Sequence, residues 1–440
     1  MFCFTYNPAI MSLIQDLTEL ENAGVITREN ANQIADYYKK KEGASPTANK
    51  QLFVFGVLGA LLVGIGLMFI IANQWDSLSR NVKTACAFLL LIVPQLLCLF
   101  ALIKKPDKMV WRESTALLLF FAVGANISLV SQIYHINGDA STFLLTWMLL
   151  TVPLVFIMRS TAVSLAYFFG LTFYSFAVRT DATELWSEWI YWPLLALPLP
   201  HYFQLFKKSP DSPLFILHHW VIPFVLTLTI GMVSHNSREW LPPIFILLFG
   251  IFNLIGNKSF FSNRALIKNG YKVFGFCGTV IALLVMSFKS NWKELQDHHY
   301  TLSFLVNSSE FIALLILGIL ASLLLVRAMR GRTLSDVKMM EVVWLLFLAI
   351  FVLGLFSSLA VLLVNLFVFA AAILMIREGT RLSHLGVLNS GMVVVALLVA
   401  CRSFDTDLTF VVKGSLFVLV GVGFFVTNWL TLKKRNQNER

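Results

Sequence analysis

The sequence predicts an all-α, polytopic membrane protein of about 14 transmembrane helices, with N- and C-termini cytoplasmic and a small N-terminal helical hairpin. Three observations carry this. Of 440 residues, 58% are hydrophobic and only 13% charged, whereas soluble domains run near half apolar and a quarter charged. The apolar residues gather into runs of about 20, the length a helix needs to cross hydrocarbon; outer-membrane barrels are built instead from alternating segments of roughly ten. The 34 Lys and Arg, against 24 Asp and Glu, are also sorted by side: 26 fall before the first run, in alternate loops and in the tail, and 8 in the opposite loops. Cytoplasmic loops concentrate Lys and Arg. The surplus of +10 therefore reads as orientation, and nucleic acid is not expected as a partner.

The elements follow in order. Residues 1–50 are polar and lack the early apolar stretch of a signal peptide; Met11 heads a more typical start than Met1. Leu13, Leu17 and Leu20 share a helical stripe, Gly24 stops that helix, and Thr27 caps the next with Glu29 in its first turn. Ile34 and Tyr37 would face the first stripe. So small a hairpin has too little core to stand alone, so residues 11–42 are expected to dock on the membrane part, on a second copy or on a protein partner. The membrane domain, 51–431, carries spans at 52–73, 83–103, 113–133, 142–158, 161–178, 189–206, 213–234, 240–256, 271–288, 303–326, 340–353, 356–376, 384–401 and 409–430. A basic tail, 432–440, ends the chain with Lys433, Lys434 and Arg435. Only Arg159 and Ser160 separate the fourth and fifth spans, and Gly354 hinges the eleventh and twelfth, so each pair is one broken helix or two short ones. Pro193, Pro198 and Pro200 interrupt the sixth span, and Pro242 and Pro243 the eighth; such breaks line transport sites or are plain kinks. Gly56, Gly59, Gly64 and Gly66 in the first span, with Gly414, Gly421 and Gly423 in the last, read as surfaces for close helix packing.

In so apolar a chain the polar residues at membrane depth are the informative ones, because an unpaired polar group costs several kcal/mol in hydrocarbon. They gather on the outer side. The first span ends in Asn73, Gln74, Trp75 and Asp76; the third ends in Ser131, Gln132 and His135, with Asp139 just beyond; the thirteenth ends in Arg402 and Asp405, followed by Asp407. Asn73, Trp75, Asp76, Gln132, His135, Asp139, Arg402 and Asp405 are the candidate binding residues. Each has a plainer reading: Trp75 as an interfacial anchor, Asp76 as a helix cap, His135 as a satisfied interface histidine. Glu310 and Lys413 lie at comparable depth in the outer leaflet and form a candidate buried ion pair, unless each snorkels separately to the interface. His201, His218, His219 and His384 fall on the inner side. No histidine spacing suits a metal, the five cysteines include no CxxC pair, and no phosphate-binding loop or nucleophile elbow is present. No metal or cofactor is expected, and no catalytic residue can be assigned.

The segments LTELENAGVITRENANQIADYY (17–38), GVLGALLVGIGLMFIIANQWDSLSR (56–80) and SQIYHINGDASTFLLTWMLLTVPL (131–154) together resemble the bacterial integral membrane proteins of the domain of unknown function 2157 family. The likeness covers about residues 11–180, and RSFDTDLTFVVKGSLFVLVGVGFFVTNW (402–429) resembles the end of longer members. It implies the bacterial inner membrane and brings no reaction and no functional residue.

Three functions fit this pattern. A transporter or flippase-like carrier suits many spans, little mass outside the membrane and no ATPase motif, although charges are scarce near the bilayer centre, where Asn126, Asn253, Asn365 and Asn389 are the amides. An envelope enzyme acting on a lipid-linked substrate at the periplasmic face would use the outer carboxylates with Arg402, but the outer loops are short and weigh against an enzyme. A sensor or assembly scaffold would signal through the hairpin. The expected partners are membrane lipid and either a small-molecule or a lipid-linked substrate.

Overall fold

The computed structural model describes residues 17, 19–34, 78–180, 186–233, 238–262, 264–297, 308–330, 332, 339–381, 385–405 and 409–438, and scattered positions of the first span. Every regular element among them is a helix. The chain divides into two compact units, 1–135 and 136–440.

In the first unit the turn of the expected hairpin is as its punctuation predicts, while Leu13 and Tyr37 lie outside the described residues. Residues 19–22 and 28–34 are helical, Gly24 takes φ 72 between them, and the Thr27 hydroxyl accepts from the Asn30 N–H at 3.4 Å. A left-handed stop favours glycine because no Cβ meets the carbonyl. Helices α1 (Arg80–Lys104) and α2 (Met109–Tyr134) then pack as a pair. The Asn126 amide donates to the Ala87 carbonyl at 2.6 Å, and Arg80 lies 4.5 Å over the Tyr134 ring.

The second unit opens with α3 (Ala140–Ile157) and α4 (Thr161–Thr180). These are two helices, because Arg159 turns the chain at φ 46 and the Ser160 hydroxyl caps α4 by accepting from the Val163 N–H. The sixth span is broken at Leu197–Pro198 into α5 (Trp186–Ala196) and α6 (Leu199–Lys208). Next come α7 (Pro213–Thr229), prolonged by a 3-10 turn, Ile230–Val233, and α8 (Leu241–Gly256). Pro242 and Pro243 do not interrupt α8. They occupy its first turn, where a missing N–H costs no helical bond.

A loop leads to α9 (Gly270–Met286), capped by Asn269, and to a short α10 (Ser290–Asp297). The remaining helices are α11 (Ser309–Met329), α12 (Met339–Gly354), α13 (Leu359–Arg381), α14 (Leu385–Asp405) and α15 (Phe410–Asn438). The turn at 355–358 keeps α12 and α13 separate, with the Ser357 hydroxyl accepting from the Leu359 N–H.

The core is centred on α8. It is apolar all round, and twelve of its 16 residues are buried, the environment a helix without a polar face requires. On one side Phe249 and Phe252 meet Phe168, Phe215 and Tyr271; on the other Leu247, Ile251 and Leu254 meet Trp344, Phe347 and Phe351. Glycines set the spacing. A Cβ on Gly275 of α9 would stand 2.7 Å from the Asn253 backbone, and one on Gly250 would stand 2.7 Å from the Trp344 ring. Gly379 and Gly391 bring α13 and α14 together in the same way. Among the described residues nothing lies within 4 Å of a Cβ on Gly56, Gly59, Gly66, Gly414, Gly421 or Gly423, and Gly64 lies outside the described residues. Glycine content marks where close approach is permitted, and the partner helix decides where it occurs.

Candidate functional site

Nine described helices are long and apolar enough to cross a membrane: α1, α2, α3, α4, α7 with its 3-10 turn, α11, α13, α14 and α15. The shorter α8, α9 and α12 are also apolar. Phe410 is 93% exposed and Phe425 81%; aromatic rings so placed along a long apolar helix suit a hydrocarbon solvent.

Of the candidate binding residues, Asn73, Trp75 and Asp76 lie outside the described residues. In the first unit, Gln132 is an exposed residue of α2, and His135 is an exposed, left-handed C-cap at φ 50. In the second unit, Asp139 precedes α3 and accepts from the Ser141 hydroxyl. The hydroxyls of Ser141 and then Thr142 hold its carboxyl below the usual carboxylate range, since hydrogen bonds to the charged form favour that form.

Arg402 and Asp405 are brought together. One turn apart at the outer end of α14, they form an ion pair at 2.8 Å with side chains 23% and 17% exposed. The last turn suits Arg402, because the helix dipole favours a cation there. Its guanidinium also donates to the Ser287 hydroxyl at 3.4 Å and lies 5.4 Å over the Phe288 ring. That hydroxyl donates in turn to the Leu284 carbonyl.

Ser287 ties in a third helix. Asn365 of α13 donates to the Ser287 carbonyl at 3.1 Å and to the Val361 carbonyl at 2.7 Å. Both amide hydrogens are thereby used, which fixes the orientation of the amide, and its Oδ1 is buried without a hydrogen-bond partner among the described residues. The end of α9, the outer part of α13 and the end of α14 therefore present a cation, a paired carboxylate and an amide oxygen around Ser287. Sequence reading singled out Arg402 and Asp405 and noted Asn365 as a deep amide; it missed Ser287 and Phe288, which close an apolar run without any motif.

Among the described residues no ion pair joins Glu310 to Lys413. Ion pairs among the described residues include Arg28–Glu21, Arg264–Asp211, Arg332–Glu341 and Arg402–Asp405. Glu310 is buried in the first turn of α11 with the Ser309 hydroxyl on its Oε2 at 3.2 Å, where the helix dipole favours a carboxylate. Lys413 is half-buried near the start of α15. Similar depth in the bilayer does not place two residues on facing sides.

These features define an all-helical, polytopic membrane protein. Residues 18–164 match the model of one family, described as Predicted membrane protein (DUF2157), so the likeness read from the N-terminal third is shown. The segment 402–429 lies outside that match. No curated protein and no solved structure matches the chain.

Proposed function

We propose that the chain is a carrier of the transporter or flippase kind in the bacterial inner membrane, and that it receives an anionic group at Arg402 on its periplasmic face. One observation carries the reading: Arg402 is held at a helix end by Asp405, Ser287 and Phe288, on the side that holds few other basic residues. A guanidinium fixed in this way recognises phosphate or carboxylate by charge-assisted bonds, and Asp405 would yield part of its contact to the incoming anion. Asn365 Oδ1 supplies an acceptor for a hydroxyl or ammonium on the same ligand. The anion could belong to a solute or to a lipid headgroup.

Two titrations of the purified full chain separate those sources. Thermal stabilisation by inorganic phosphate in Arg402-dependent fashion supports a solute; stabilisation by phosphatidylglycerol supports a headgroup. Either should vanish in Arg402→Gln while the unliganded protein stays folded. If neither ligand stabilises the wild type, or if the variant responds equally, the reading fails. Movement of the stabilising ligand across the bilayer of reconstituted vesicles then distinguishes a carrier from a receptor.

A further inference from the structure

At the inner end of the second unit, α7 carries two adjacent histidines in unlike states. His218 is satisfied at both ring nitrogens: Nδ1 donates to the Leu214 carbonyl at 2.9 Å and Nε2 accepts from the Ser164 hydroxyl at 3.1 Å. His219 is fully buried, and only its Nδ1 is engaged, by the Lys268 carbonyl at 3.3 Å. A carbonyl can only accept, so Nδ1 carries the hydrogen and Nε2 the lone pair. That Nε2 has no hydrogen-bond partner among the described residues. Around the ring stand Phe215 at 4.6 Å, Phe261 at 4.9 Å, Tyr271 at 5.9 Å and Tyr202 at 6.1 Å.

The Lys268 carbonyl belongs to the loop between α8 and α9, which crosses the inner end of the bundle and is tied to α7 and to the turn before it. Trp220 Nε1 donates to the Ile267 carbonyl at 2.9 Å. Arg264 donates to the Pro210 carbonyl and pairs with Asp211, both at 2.9 Å. The His219 carbonyl lies so near Gly270 that a Cβ there would stand 2.2 Å away. Of these ties, the bond from His219 to Lys268 is the one that runs through a group able to change charge near neutral pH.

We propose that His219 is a proton-binding site that latches this loop. A proton delivered by water from the inner side forms the Nε2–H bond; the imidazolium then leaves the ring enclosure, its Nδ1–H bond to the Lys268 carbonyl breaks, and the loop comes away from α7. The groups around the imidazole are His218, on which His201 acts in turn, Arg264, and the Tyr202 and Tyr271 hydroxyls, which bond to each other. No carboxylate meets it among these; Asp211, the nearest acid in this network, is on Arg264. The two closer rings, both edge-on to the imidazole, return less to a cation than a buried, unpaired charge beside another cation loses. The charged form is therefore expelled. The site stands independently of the carrier reading; only the use of the opening, to expose the inner side in turn, rests on it.

Hydrogen exchange of the full chain in lipid nanodiscs tests the latch without any transport assay. Between about pH 8 and pH 5, which brackets the ordinary histidine range, the amides of residues 264–269 should gain exchange beyond the intrinsic rate. Below the titration point, opening coupled to one proton should grow about tenfold per pH unit. His219→Gln should remove that dependence, and His218→Gln should keep it. The proposal is overturned if the wild type shows no such dependence or if His219→Gln retains it. Should His219→Gln not fold, ¹⁵N spectra of histidine-labelled wild type decide: the His219 ring must acquire the imidazolium signature in step with loop exchange, and a ring neutral throughout sinks the idea.

Discussion

Arg402 shows how much one side chain can govern at the outer end of the second unit. Its ion pair with Asp405 is mostly shielded, so Arg402→Gln strands a carboxylate. The expected loss is about 1–3 kcal/mol, between the values for exposed and buried pairs. A double-mutant cycle with Asp405→Asn, read by chemical denaturation in detergent, should show that the second substitution recovers part of the loss; strict additivity would refute the coupling. Asp139 makes a pH-dependent contribution. Its folded carboxyl titrates below the ordinary value, so the stability it adds is present above the ordinary carboxylate range and fades as pH falls through the lowered value. Asp139→Asn should lower the melting temperature at neutral pH and leave it almost unchanged at acid pH, and so flatten the acid limb. The Arg402–Asp405 pair was legible in the sequence because residues three apart on a helix are neighbours whatever surrounds them. The Asn365 contact was not, since its acceptor is the main-chain carbonyl of Ser287, which no side-chain pattern announces. That no ion pair joins Glu310 and Lys413 among the described residues has a complementary reason: sequence gives depth along the bilayer normal but not azimuth around it.

Among the elements, α8 and α9 pack closely, with Gly275 against the Asn253 backbone and Gly278 against the Phe249 ring. Gly275→Ala must push main chain against main chain and should cost about 1–3 kcal/mol. Gly421→Ala on α15, where nothing among the described residues lies within 4 Å, should be neutral or slightly stabilising through helix propensity. Comparable melting shifts for the two would contradict the packing described. Helix positions were legible because apolar run length is set by the bilayer and by nothing finer; thirteen of the fourteen predicted spans coincide with described helices or helix pairs, and the first lies mostly outside the described residues. Whether two short runs are one helix or two was open, and local chemistry settled it through the left-handed Arg159 and the Ser160 and Ser357 caps.

For the whole molecule, the charge asymmetry makes an orientation that can be measured. Single cysteines replacing Asp107 or Asp211, in a background with its own cysteines removed, should react with a membrane-impermeant thiol reagent only from the cytoplasmic side. One replacing Ser357 should react only from outside. Labelling of all three from one side would mean that a span has been miscounted. The arrangement of the helices was beyond the sequence, because several are equally apolar and only packing ranks them: α4 is 72% buried over its most apolar window, while the corresponding window of α15 is 0% buried.

The central helix also bears on how the protein is made. With 16 residues, α8 is about 24 Å long, short of the roughly 30 Å of hydrocarbon a lone helix must span; α12 is as short and α9 one residue longer. Sheltered by its neighbours, α8 need never match the bilayer in the finished protein, but on leaving the insertion machinery it has not yet met α9, α11 or α12. Its stable residence in the membrane therefore depends on segments synthesised after it, so a chain truncated just beyond Gly256 should slip out of the bilayer where one ending after Gly354 is retained.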